Sequence, residues 1–519
     1  MEGAELLMGV FGAGKSRVCA VAAAATAGEM ARQVRTALRE TPTVELRLDW
    51  LRSDAERRRL LAWVKRQKFD ARVRLMATCR RMLAGGKLKG GIKDEMYWLK
   101  QAREGGCRWC DIEVETLREL RDKTVRGYGV PSRVLLSVHD FKGTPRLAHQ
   151  MRAADRDGIA AVKIAARANT IADSMRILGL ARRSGNFVAV PMGESGLPAR
   201  ILALREGSAL AYAPVGEATA PGQVSLGEMM HLYRAHELTR RTRVFGVIGD
   251  PVGHSLSPLL HNTGFIARGV DAVYLPFLVH RLKDFLDVVE RLGIRGFSVT
   301  LPHKEAILKY LKDCDPLAAA IGAVNTVVVR GDGSLYGSNT DYVGVLQGLE
   351  GKMRLRGSRV LVFGAGGAAR STAFALARAG AQVAICSRRE QVGIKLARAV
   401  NGEFLRRRAL RSEKFEAIIN ATPVGMYPHS KTSPLSTREL NCRIVMDLIY
   451  RPLDTELLEI ARKKGISTVS GVDMFVAQGF AQWELWTGKN APQAAMRRAV
   501  LRSLRAEHAP REKSRGSRA

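Results

Sequence analysis

Short apolar runs alternate with longer amphipathic stretches between Arg17 and Tyr212. The apolar runs are RVCAV, VELRL, VRLMAT, CDIEV, VLLSV, AVKIA, FVAVP and ALAYA. Most stretches between them are rich in Ala, Arg and Leu and repeat with the period of a helix, as in EMARQVRTALRE. Eight such strand-and-helix units predict a (β/α)8 barrel, the TIM barrel, in which catalytic groups lie at the carboxyl ends of the strands.

The pattern changes after the basic connector TRRTR, which indicates a domain boundary near residues 238–243. A strand, VFGVIG, opens a second α/β unit with Gly, Ser, Thr and Asn at its strand ends, and a third unit opens at RVLVFGAGGAARS. The pattern therefore predicts a barrel in 1–238, an α/β lobe in 243–350 with helices from 473–505 packing back onto it, a further α/β lobe in 351–472, and a basic disordered tail in 506–519.

The composition is that of a folded protein, because 46% of the residues are apolar and 26% are charged. No apolar run is long enough to span a membrane, and the first residues lack the basic start of a signal peptide. The seven cysteines are odd in number and scattered, which argues against a disulfide framework. We therefore expect a cytoplasmic protein without membrane association, and we interpret the lone CxxC pair, Cys107 and Cys110, as strand packing.

The formal net charge of +33 fits either of two functions. A basic surface can neutralise nucleic-acid phosphates, or it can concentrate small anionic substrates by its field. Much of the excess lies in arginine pairs spread along the chain, and aromatic residues are only 6%. This pattern favours small anions over dedicated nucleic-acid binding. A basic nucleic-acid-binding protein built on inactive enzyme folds remains the alternative.

Charged and polar residues stand at the ends of the apolar strands in the first half. They include Glu45, Arg47, Arg80, Glu113, His139 and Lys163. Buried charges cost several kcal/mol unless they are paired or used, so the pattern indicates a polar barrel centre. Lys163 is flanked by Ala, Val and Ile, and burial disfavours an ammonium ion, so this lysine can act as an amine nucleophile and form a Schiff base. The alternative is a strand-end lysine that extends to the surface.

The motifs ELRLDWL, SVHDF, VKIA and TAPGQ, in this order, resemble the type I 3-dehydroquinate dehydratases. The resemblance implies that Lys163 forms an imine with the ketone of 3-dehydroquinate and that His139 moves the protons of dehydration. It also implies substrate-binding roles for Glu45, Arg47, Arg80, Arg200 as a carboxylate clamp, and Thr219 and Gln223 in a lid. This chain has Ala84 where many relatives carry a glutamate and Thr219 where they carry a serine.

The motifs GDPVGHSLSPLLHN, GFSVTLPHK, IGAVNT, GSNTDYVG, GAGGAAR, NATPVGM and VDMFVAQ resemble shikimate dehydrogenase. The resemblance implies that Lys304 and Asp341 protonate the ketone oxygen of 3-dehydroshikimate as it is reduced to shikimate. The alternative for these two residues is a structural ion pair. The implied substrate-binding residues are Ser255, Ser257, Thr300, Asn325, Tyr450 and Gln478.

The sequence GAGGAA follows the strand RVLVF and precedes a helical stretch, as in a Rossmann dinucleotide-binding lobe. Two arginines follow the next strand where NAD enzymes usually carry an acid, and guanidinium groups favour the 2′-phosphate of NADP(H). The implied cofactor-binding residues are Gly364, Ala365, Gly366, Gly367, Ala368, Ser387, Arg388, Arg389, Thr422, Leu448, Gly471 and Met474. The combined prediction is a bifunctional shikimate-pathway enzyme with three small-molecule substrates and products: 3-dehydroquinate, 3-dehydroshikimate and shikimate.

Further alternatives concern the substrate and one nucleotide-like motif. The second half could prefer quinate or NAD, with a weakened dehydratase half beside it. GVFGAGKS, from Gly9 to Ser16, also fits the P-loop pattern. A P-loop requires a helix after Gly-Lys-Ser, whereas the barrel pattern assigns the following residues to the first strand.

Overall fold

A computed structural model describes residues 10–120, 125–144, 158–182, 185–216 and 222–508. Thr219 and the part of the predicted tail from 509 onward lie outside these residues. The chain divides into two compact units, 1–242 with 275–292, and 243–274 with 293–519. The seven cysteines are free thiols, and burial raises the pKa of Cys107 to about 12.

The first unit contains an eight-stranded parallel sheet that curves into a barrel, so the predicted TIM barrel is confirmed. The strand order is β7-β6-β5-β4-β3-β2-β1-β8, in which β8 pairs with β1. Between β7 and β8, the backbone amide of Ala209 donates to the carbonyl of Phe187 at 2.7 Å. The strands are β1 Val18–Ala22, β2 Thr43–Arg47, β3 Arg74–Thr78, β4 Trp109–Glu113, β5 Arg133–Asp140, β6 Ile159–Arg167, β7 Phe187–Met192 and β8 Ala211–Pro214.

Six α-helices of this unit lie between the strands in the described part of the chain. Several begin with a side-chain cap, such as Thr170, whose hydroxyl accepts from the amide of Asp173. A π-helical turn, Glu228–Leu232, follows the barrel. The helices are α1 Ala27–Leu38, α2 Asp54–Arg66, α3 Ile92–Glu104, α4 Val114–Glu119, α5 Ile171–Ala181 and α6 Leu197–Leu202.

Apolar side chains fill the amino-terminal end of the barrel. Phe11 is 1% exposed and stacks on Trp109 with ring centroids 4.4 Å apart. Met76, Leu135 and Val188 belong to the same cluster. The residues after Phe11 form a single 3-10 turn, Gly14–Arg17, that leads into β1. The P-loop alternative therefore does not fit, because a strand and not a helix follows Gly-Lys-Ser.

After the barrel, a mixed six-stranded sheet has the order β10-β9-β11-β13-β14-β12. β9 and β11 are parallel, and β13 runs antiparallel to both β11 and β14. The strands are β9 Arg243–Gly249, β10 Ala272–Leu278, β11 Ile294–Val299, β12 Asp313–Cys314, β13 Thr326–Val329 and β14 Leu335–Ser338. The helices of this part of the sequence are α7 Ser257–Ala267, α8 Leu282–Leu292, α9 Pro316–Ile321 and α10 Asp341–Glu350.

A parallel six-stranded sheet of order β17-β16-β15-β18-β19-β20 follows, which is the strand order of the Rossmann fold. The order reverses between β15 and β18, where such folds bind dinucleotides. The strands are β15 Arg359–Phe363, β16 Gln382–Cys386, β17 Glu403–Phe404, β18 Phe415–Asn420, β19 Cys442–Asp447 and β20 Ser467–Val469. The helices are α11 Gly367–Arg378, α12 Glu390–Ala399 and α13 Glu456–Lys463.

Two final helices, α14 Gly471–Thr487 and α15 Gln493–His508, follow the Rossmann sheet. The indole nitrogen of Trp486 in α14 donates to the carbonyl of Val327 in β13 at 3.0 Å. α14 therefore packs against the mixed sheet. Among the described residues, no helix is long and apolar enough to cross a membrane, and no cluster of three or more His, Cys, Asp or Glu is placed to hold a metal ion.

Candidate active sites

A buried lysine and a buried aspartate form the centre of the barrel. Lys163 of β6 is 4% exposed, and its Nζ contacts Oδ2 of Asp111 in β4. The hydroxyl of Ser137, from the strand between them, donates to the same oxygen at 2.8 Å. The Lys163 ammonium is therefore compensated inside the barrel, and the surface-lysine alternative is wrong.

A second carboxylate on β4 contacts the predicted catalytic histidine. Glu113 lies two residues after Asp111, so both side chains point to the same face of the strand. Its Oε2 is 2.9 Å from Nδ1 of His139, and its Oε1 is 2.7 Å from Nε of Arg80. The Arg80 guanidinium is also 3.5 Å from Oδ1 of Asp111. Arg80 thus connects the lysine pair to the histidine pair.

The pKa values of these groups shift in different directions. Burial raises the pKa of Glu113 above its usual range, and the neighbouring Asp111 charge adds to this, although Arg80 opposes it. Burial would also raise the pKa of Asp111, but Lys163 and Arg80 outweigh it, so this pKa is lowered. Burial, Arg80 and Lys163 hold the pKa of His139 well below its usual value. His139 is therefore a neutral imidazole near neutral pH and can accept a proton.

The predicted substrate-binding residues on β2 already have partners. Glu45 accepts a short hydrogen bond from the hydroxyl of Thr78. Arg47 binds both oxygens of Asp49, at 3.0 Å and 2.8 Å. Asp49 holds the arginine fork in place beside the polar centre of the barrel.

Arg200 is a buried guanidinium without an acidic partner among the described residues. It is 6% exposed, and its Nε donates to the carbonyl of Pro191 at 2.6 Å. Burial lowers the pKa of Arg200 to about 10. A buried cation of this kind is strongly stabilised by an anionic ligand. Gln223, predicted in the same substrate lid as Thr219, is half-buried.

The sequence prediction missed two features of this site. Asp111 was not among the predicted site residues, and Glu113 was noted only as a polar strand-end residue. The signal was the Asp-x-Glu spacing in the otherwise apolar run CDIEV, which puts two carboxylates on one face of a buried strand.

In the second unit, Lys304 and Asp341 meet as the resemblance implied. Lys304 Nζ is 2.6 Å from Oδ2 of Asp341, which begins α10. The other carboxylate oxygen accepts from the Asn325 amide at 2.7 Å. The Lys304 side chain is 19% exposed and that of Asp341 is 10% exposed. The ammonium is therefore oriented by a fixed carboxylate and still accessible.

Serines and a threonine follow the strands on the same side of the mixed sheet. Ser255 accepts the amide of Ser257 at 3.2 Å, so the two hydroxyl-bearing residues form one turn before α7. Thr300 follows β11 directly, and its amide donates to the carbonyl of Ile248 at the end of β9.

Two more predicted substrate-binding residues lie in α14 and in the segment after β19. Gln478 of α14 is 9% exposed and donates to the carbonyl of Phe475. Tyr450 follows β19 and stacks on Phe475 with centroids 4.5 Å apart. One phenylalanine therefore orients both side chains.

A buried polar network behind the serines was not predicted. The hydroxyl of Tyr274 is 2.6 Å from that of Ser298, which donates to Gln482 at 2.9 Å. Gln482 also lies 3.3 Å from Nε2 of His261 and donates to Thr326. These residues come from β10, β11, β13, α7 and α14, so sequence spacing alone gives no signal for the network.

The glycine-rich turn after β15 is shaped to receive a phosphate group. Gly364 has φ +131°, and a Cβ there would be 3.0 Å from the carbonyl oxygen of Ala421. At Gly366 and Gly367, where α11 begins, a Cβ would meet open space. Ala365 and Ala368 complete the turn. The turn leaves room at a helix N-terminus, which is how Rossmann lobes hold a pyrophosphate.

The other predicted cofactor residues surround the ends of the neighbouring strands. Ser387, Arg388 and Arg389 follow β16, and both arginines are exposed. Thr422 and Leu448 are fixed through Asn420, which accepts from the Thr422 amide at 3.0 Å and whose carbonyl accepts from Leu448 at 3.0 Å. Gly471 must lack a side chain because a Cβ would be 2.3 Å from the carbonyl oxygen of Ile449, and Met474 lies one turn later. These residues fit a dinucleotide with a 2′-phosphate.

Three family models match the chain. Residues 18–240 match type I 3-dehydroquinase, residues 247–327 match the shikimate dehydrogenase substrate binding domain, and residues 471–501 match the shikimate 5'-dehydrogenase C-terminal domain. The chain thus combines a lyase of the barrel class with a dinucleotide-dependent dehydrogenase.

Similar proteins include both fused and separate enzymes. The chain is 33% identical over 482 residues, 87% of this chain and 78% of the relative, to the chloroplastic bifunctional 3-dehydroquinate dehydratase/shikimate dehydrogenase of Arabidopsis thaliana. It is 43% identical over 279 residues, 51% of this chain and 99% of the relative, to a shikimate dehydrogenase (NADP(+)) of Methanosarcina acetivorans. The protein therefore belongs to the bifunctional 3-dehydroquinate dehydratase/shikimate dehydrogenase family.

Solved structures similar to the second half include shikimate 5-dehydrogenase from Thermus thermophilus in complex with NADP(H) and shikimate. That chain is 36% identical, with a TM-score of 0.47, and the match covers 50% of this protein and 99% of the other.

Proposed function

We propose that Lys163 and His139 carry out the dehydration of 3-dehydroquinate in the barrel. The observation that carries this proposal is the buried contact between Lys163 and Asp111, connected through Arg80 to the Glu113–His139 pair. A buried amine and a neutral imidazole are the two groups that imine-based dehydration needs.

The proposed reaction begins when the Lys163 ammonium gives one proton to His139 and the resulting amine attacks the substrate ketone. The proton returns from His139 to the oxygen of the adduct, which leaves as water and gives a protonated imine. The positive imine withdraws electrons and makes the adjacent C–H acidic, so that His139 can remove that proton. The same histidine then returns a proton to the leaving hydroxyl, and water hydrolyses the imine to release 3-dehydroshikimate. Asp111 stabilises the positive charge of the imine, as it compensates the free ammonium.

Substrate binding in the barrel is proposed to use the buried arginines. Arg200 binds the substrate carboxylate, because it is a buried cation with no acidic partner among the described residues. Glu45, Arg47 and Arg80 bind substrate hydroxyls near the polar centre, while Thr219 and Gln223 belong to the lid.

In the second unit we propose that Lys304 donates a proton to the ketone oxygen of 3-dehydroshikimate, oriented by Asp341. NADPH, when bound, supplies the hydride to the ketone carbon. The substrate carboxylate binds Ser255 and Ser257, and the ring hydroxyls contact Thr300, Asn325, Tyr450 and Gln478. Lys304 stabilises the growing negative charge, because an ammonium at a developing alkoxide lowers the barrier.

The proposed cofactor contacts divide between backbone and side chains. Gly364 to Ala368 hold the pyrophosphate, and Ser387, Arg388 and Arg389 bind the 2′-phosphate. Thr422, Leu448, Gly471 and Met474 line the nicotinamide side of the cleft. The exposure of both arginines supports this role, because neither is committed to a buried ion pair.

We propose four segments of the chain. Residues 1–238 form the dehydratase domain, 243–350 with 473–505 form the shikimate-binding domain, 351–472 form the NADP(H)-binding domain and 506–519 form the basic tail. The proposed partners are the three small molecules, with no dedicated nucleic acid. The proposed compartment is the cytoplasm, supported by seven free cysteines; the name of the Arabidopsis relative assigns that protein to the chloroplast.

Borohydride trapping tests the barrel site. The full chain is treated with 3-dehydroquinate and sodium borohydride, digested and mapped by mass spectrometry. We expect the reduced substrate adduct on Lys163, no adduct in Lys163→Ala, and a normal adduct in the control Lys142→Ala, which changes an exposed lysine after β5. An adduct on another lysine would refute the proposal.

A further inference from the structure

His139 has two ring nitrogens, and only one of them can serve as the base. The partner of the other nitrogen decides which one carries the hydrogen. Here Nδ1 lies 2.9 Å from Oε2 of Glu113. An ionised carboxylate only accepts hydrogen bonds, so this contact puts the hydrogen on Nδ1 and leaves the lone pair on Nε2.

We propose that Glu113 is the positioning residue of the dehydratase, fixing the tautomer and ring orientation of His139 so that Nε2 removes the substrate proton. The inference rests on the roles proposed above for Lys163 and His139. It adds a function for a residue of β4 that the sequence prediction noted only as a polar strand-end residue.

The surroundings of Glu113 hold its carboxylate in one orientation. Its side chain is 3% exposed and projects from the end of β4, in the barrel wall. One oxygen contacts Arg80 at 2.7 Å and the other contacts His139. The imidazole also stacks on Phe141, with centroids 5.9 Å apart. The ring is therefore fixed by a carboxylate at its edge and an aromatic ring at its face.

The 3-10 turn after β3 supplies no carboxylate to His139. Ala84 ends the 3-10 turn Met82–Ala84, and its methyl group has no acceptor. The next residue, Gly85, lies so close to Phe141 that a Cβ there would be 2.6 Å from the phenyl ring. The turn therefore packs near the aromatic ring that covers His139, but Glu113 makes the polar contact.

Glu113 and Asp111 have separate tasks, although they share one strand. Asp111 contacts Lys163 and Ser137, while Glu113 contacts His139. Oε1 of Glu113 forms an ion pair with Arg80 but no hydrogen bond among the described residues, and Oε2 contacts His139. It therefore acts through His139 and not on the substrate directly.

Protonation of Glu113 reverses the tautomer of His139. The charged groups around it are Arg80 and His139 in contact, Asp111 and Lys163 nearby, and Arg47 on β2. A protonated Glu113 donates to Nδ1, which moves the ring hydrogen to Nε2 and removes the base. Because Glu113 must be ionised for turnover, kcat is expected to fall as the pH falls through its pKa.

The test compares Glu113→Gln with Glu95→Gln. Glu95 is a matched control because it is also buried and contacts an arginine, Arg81, at 2.9 Å. In Glu113→Gln we expect the dehydratase kcat to fall about 100-fold, the range of a lost general base, with little change in KM. The acid limb of the kcat profile should disappear, and the borohydride adduct on Lys163 should persist. Glu95→Gln should keep kcat and the acid limb.

Dehydrogenase activity of the same chain reports whether a variant is folded. If Glu113→Gln is not folded, Glu113→Asp replaces it, and we expect reduced kcat with the acid limb retained, because the charge remains but its reach is shorter. Wild-type kcat and acid limb in Glu113→Gln, or wild-type kcat in Glu113→Asp, would overturn the inference. Failure to trap Lys163 in the wild-type chain would instead refute the proposed function.

Discussion

Nζ of Lys304 lies 2.6 Å from Oδ2 of Asp341, whose other oxygen accepts a hydrogen bond from Asn325. The Asp341 carboxylate is thus held from both sides, and Lys304 reaches it from the loop after β11. An ammonium held in this way has a fixed orientation, which supports the proton transfer proposed for Lys304.

Lys304→Ala should lower the dehydrogenase kcat by about 100-fold or more, because it removes the proton donor. The dehydratase activity of the same chain should be unchanged. Both activities are measured on one preparation by following 3-dehydroshikimate formation and NADPH oxidation separately. Lys309→Ala, which removes an exposed lysine from the same loop, is the control and should leave both rates intact. Equal losses in the two lysine variants would contradict a specific role for Lys304.

Phe11→Ala should destabilise the barrel by about 3–5 kcal/mol, because it removes a fully buried aromatic ring that stacks on Trp109. The expected result is a lower temperature of dehydratase inactivation, with kcat unchanged where the variant is folded. Leu83→Ala, at a side chain 94% exposed, should leave that temperature unaltered. If Phe11→Ala lost dehydratase activity at the wild-type temperature, the stability of the barrel would not depend on this residue.

His261 should make the second unit sensitive to acid. Burial lowers the pKa of His261 from 6.5 to about 3, although Gln482 opposes the shift. Below about pH 6.5 His261 is protonated in the unfolded chain but stays neutral in the folded chain. The free energy of unfolding is therefore highest above about pH 6.5 and falls by up to about 1.4 kcal/mol per pH unit below it.

The temperature at which dehydrogenase activity is lost is measured at pH 7.5 and at pH 5.5, and the difference between the two temperatures reports this effect. We expect a smaller difference in His261→Phe, which keeps a ring against Tyr274. His231→Phe, at an exposed histidine, should show the wild-type difference. An unchanged difference in His261→Phe would assign the acid sensitivity to other groups.

Arg388→Ala and Arg389→Ala should weaken NADPH binding by roughly 10- to 100-fold each, because each removes a charge-assisted contact to the 2′-phosphate. Binding of NADH should change little. KM values for both cofactors check this, with Arg398→Ala, an exposed arginine in α12, as the control. A parallel loss for NADH would mean that the arginines support the fold and not the phosphate.

Much of the architecture could be predicted because its strands are buried on both faces. Parallel strands inside a barrel or a Rossmann sheet read as continuous apolar runs, and Gly364 to Gly367 follow such a run directly. The eight barrel strands and the Rossmann lobe are confirmed. The residue roles and the segment boundaries stay predictions.

The pairing inside the barrel could not be predicted in the same way. Asp111 on β4 and Lys163 on β6 are separated by β5, and only the curvature of the sheet brings them together. Sequence reasoning expected a desolvated lysine in a polar barrel centre and named no partner for it, whereas the structure pairs Lys163 with Asp111. Among the described residues Arg200 has no acidic partner, which is likewise a property of the packed barrel and has no signature in the motif LPARIL.

Phe11 and Trp109 close one end of the barrel, and this closure has a kinetic meaning. Among the described residues, apolar side chains fill that end, so we expect substrate to reach Lys163 from the carboxyl ends of the strands. Product and substrate are then expected to use the same route. Accumulated 3-dehydroshikimate should thus act as a competitive inhibitor of dehydration.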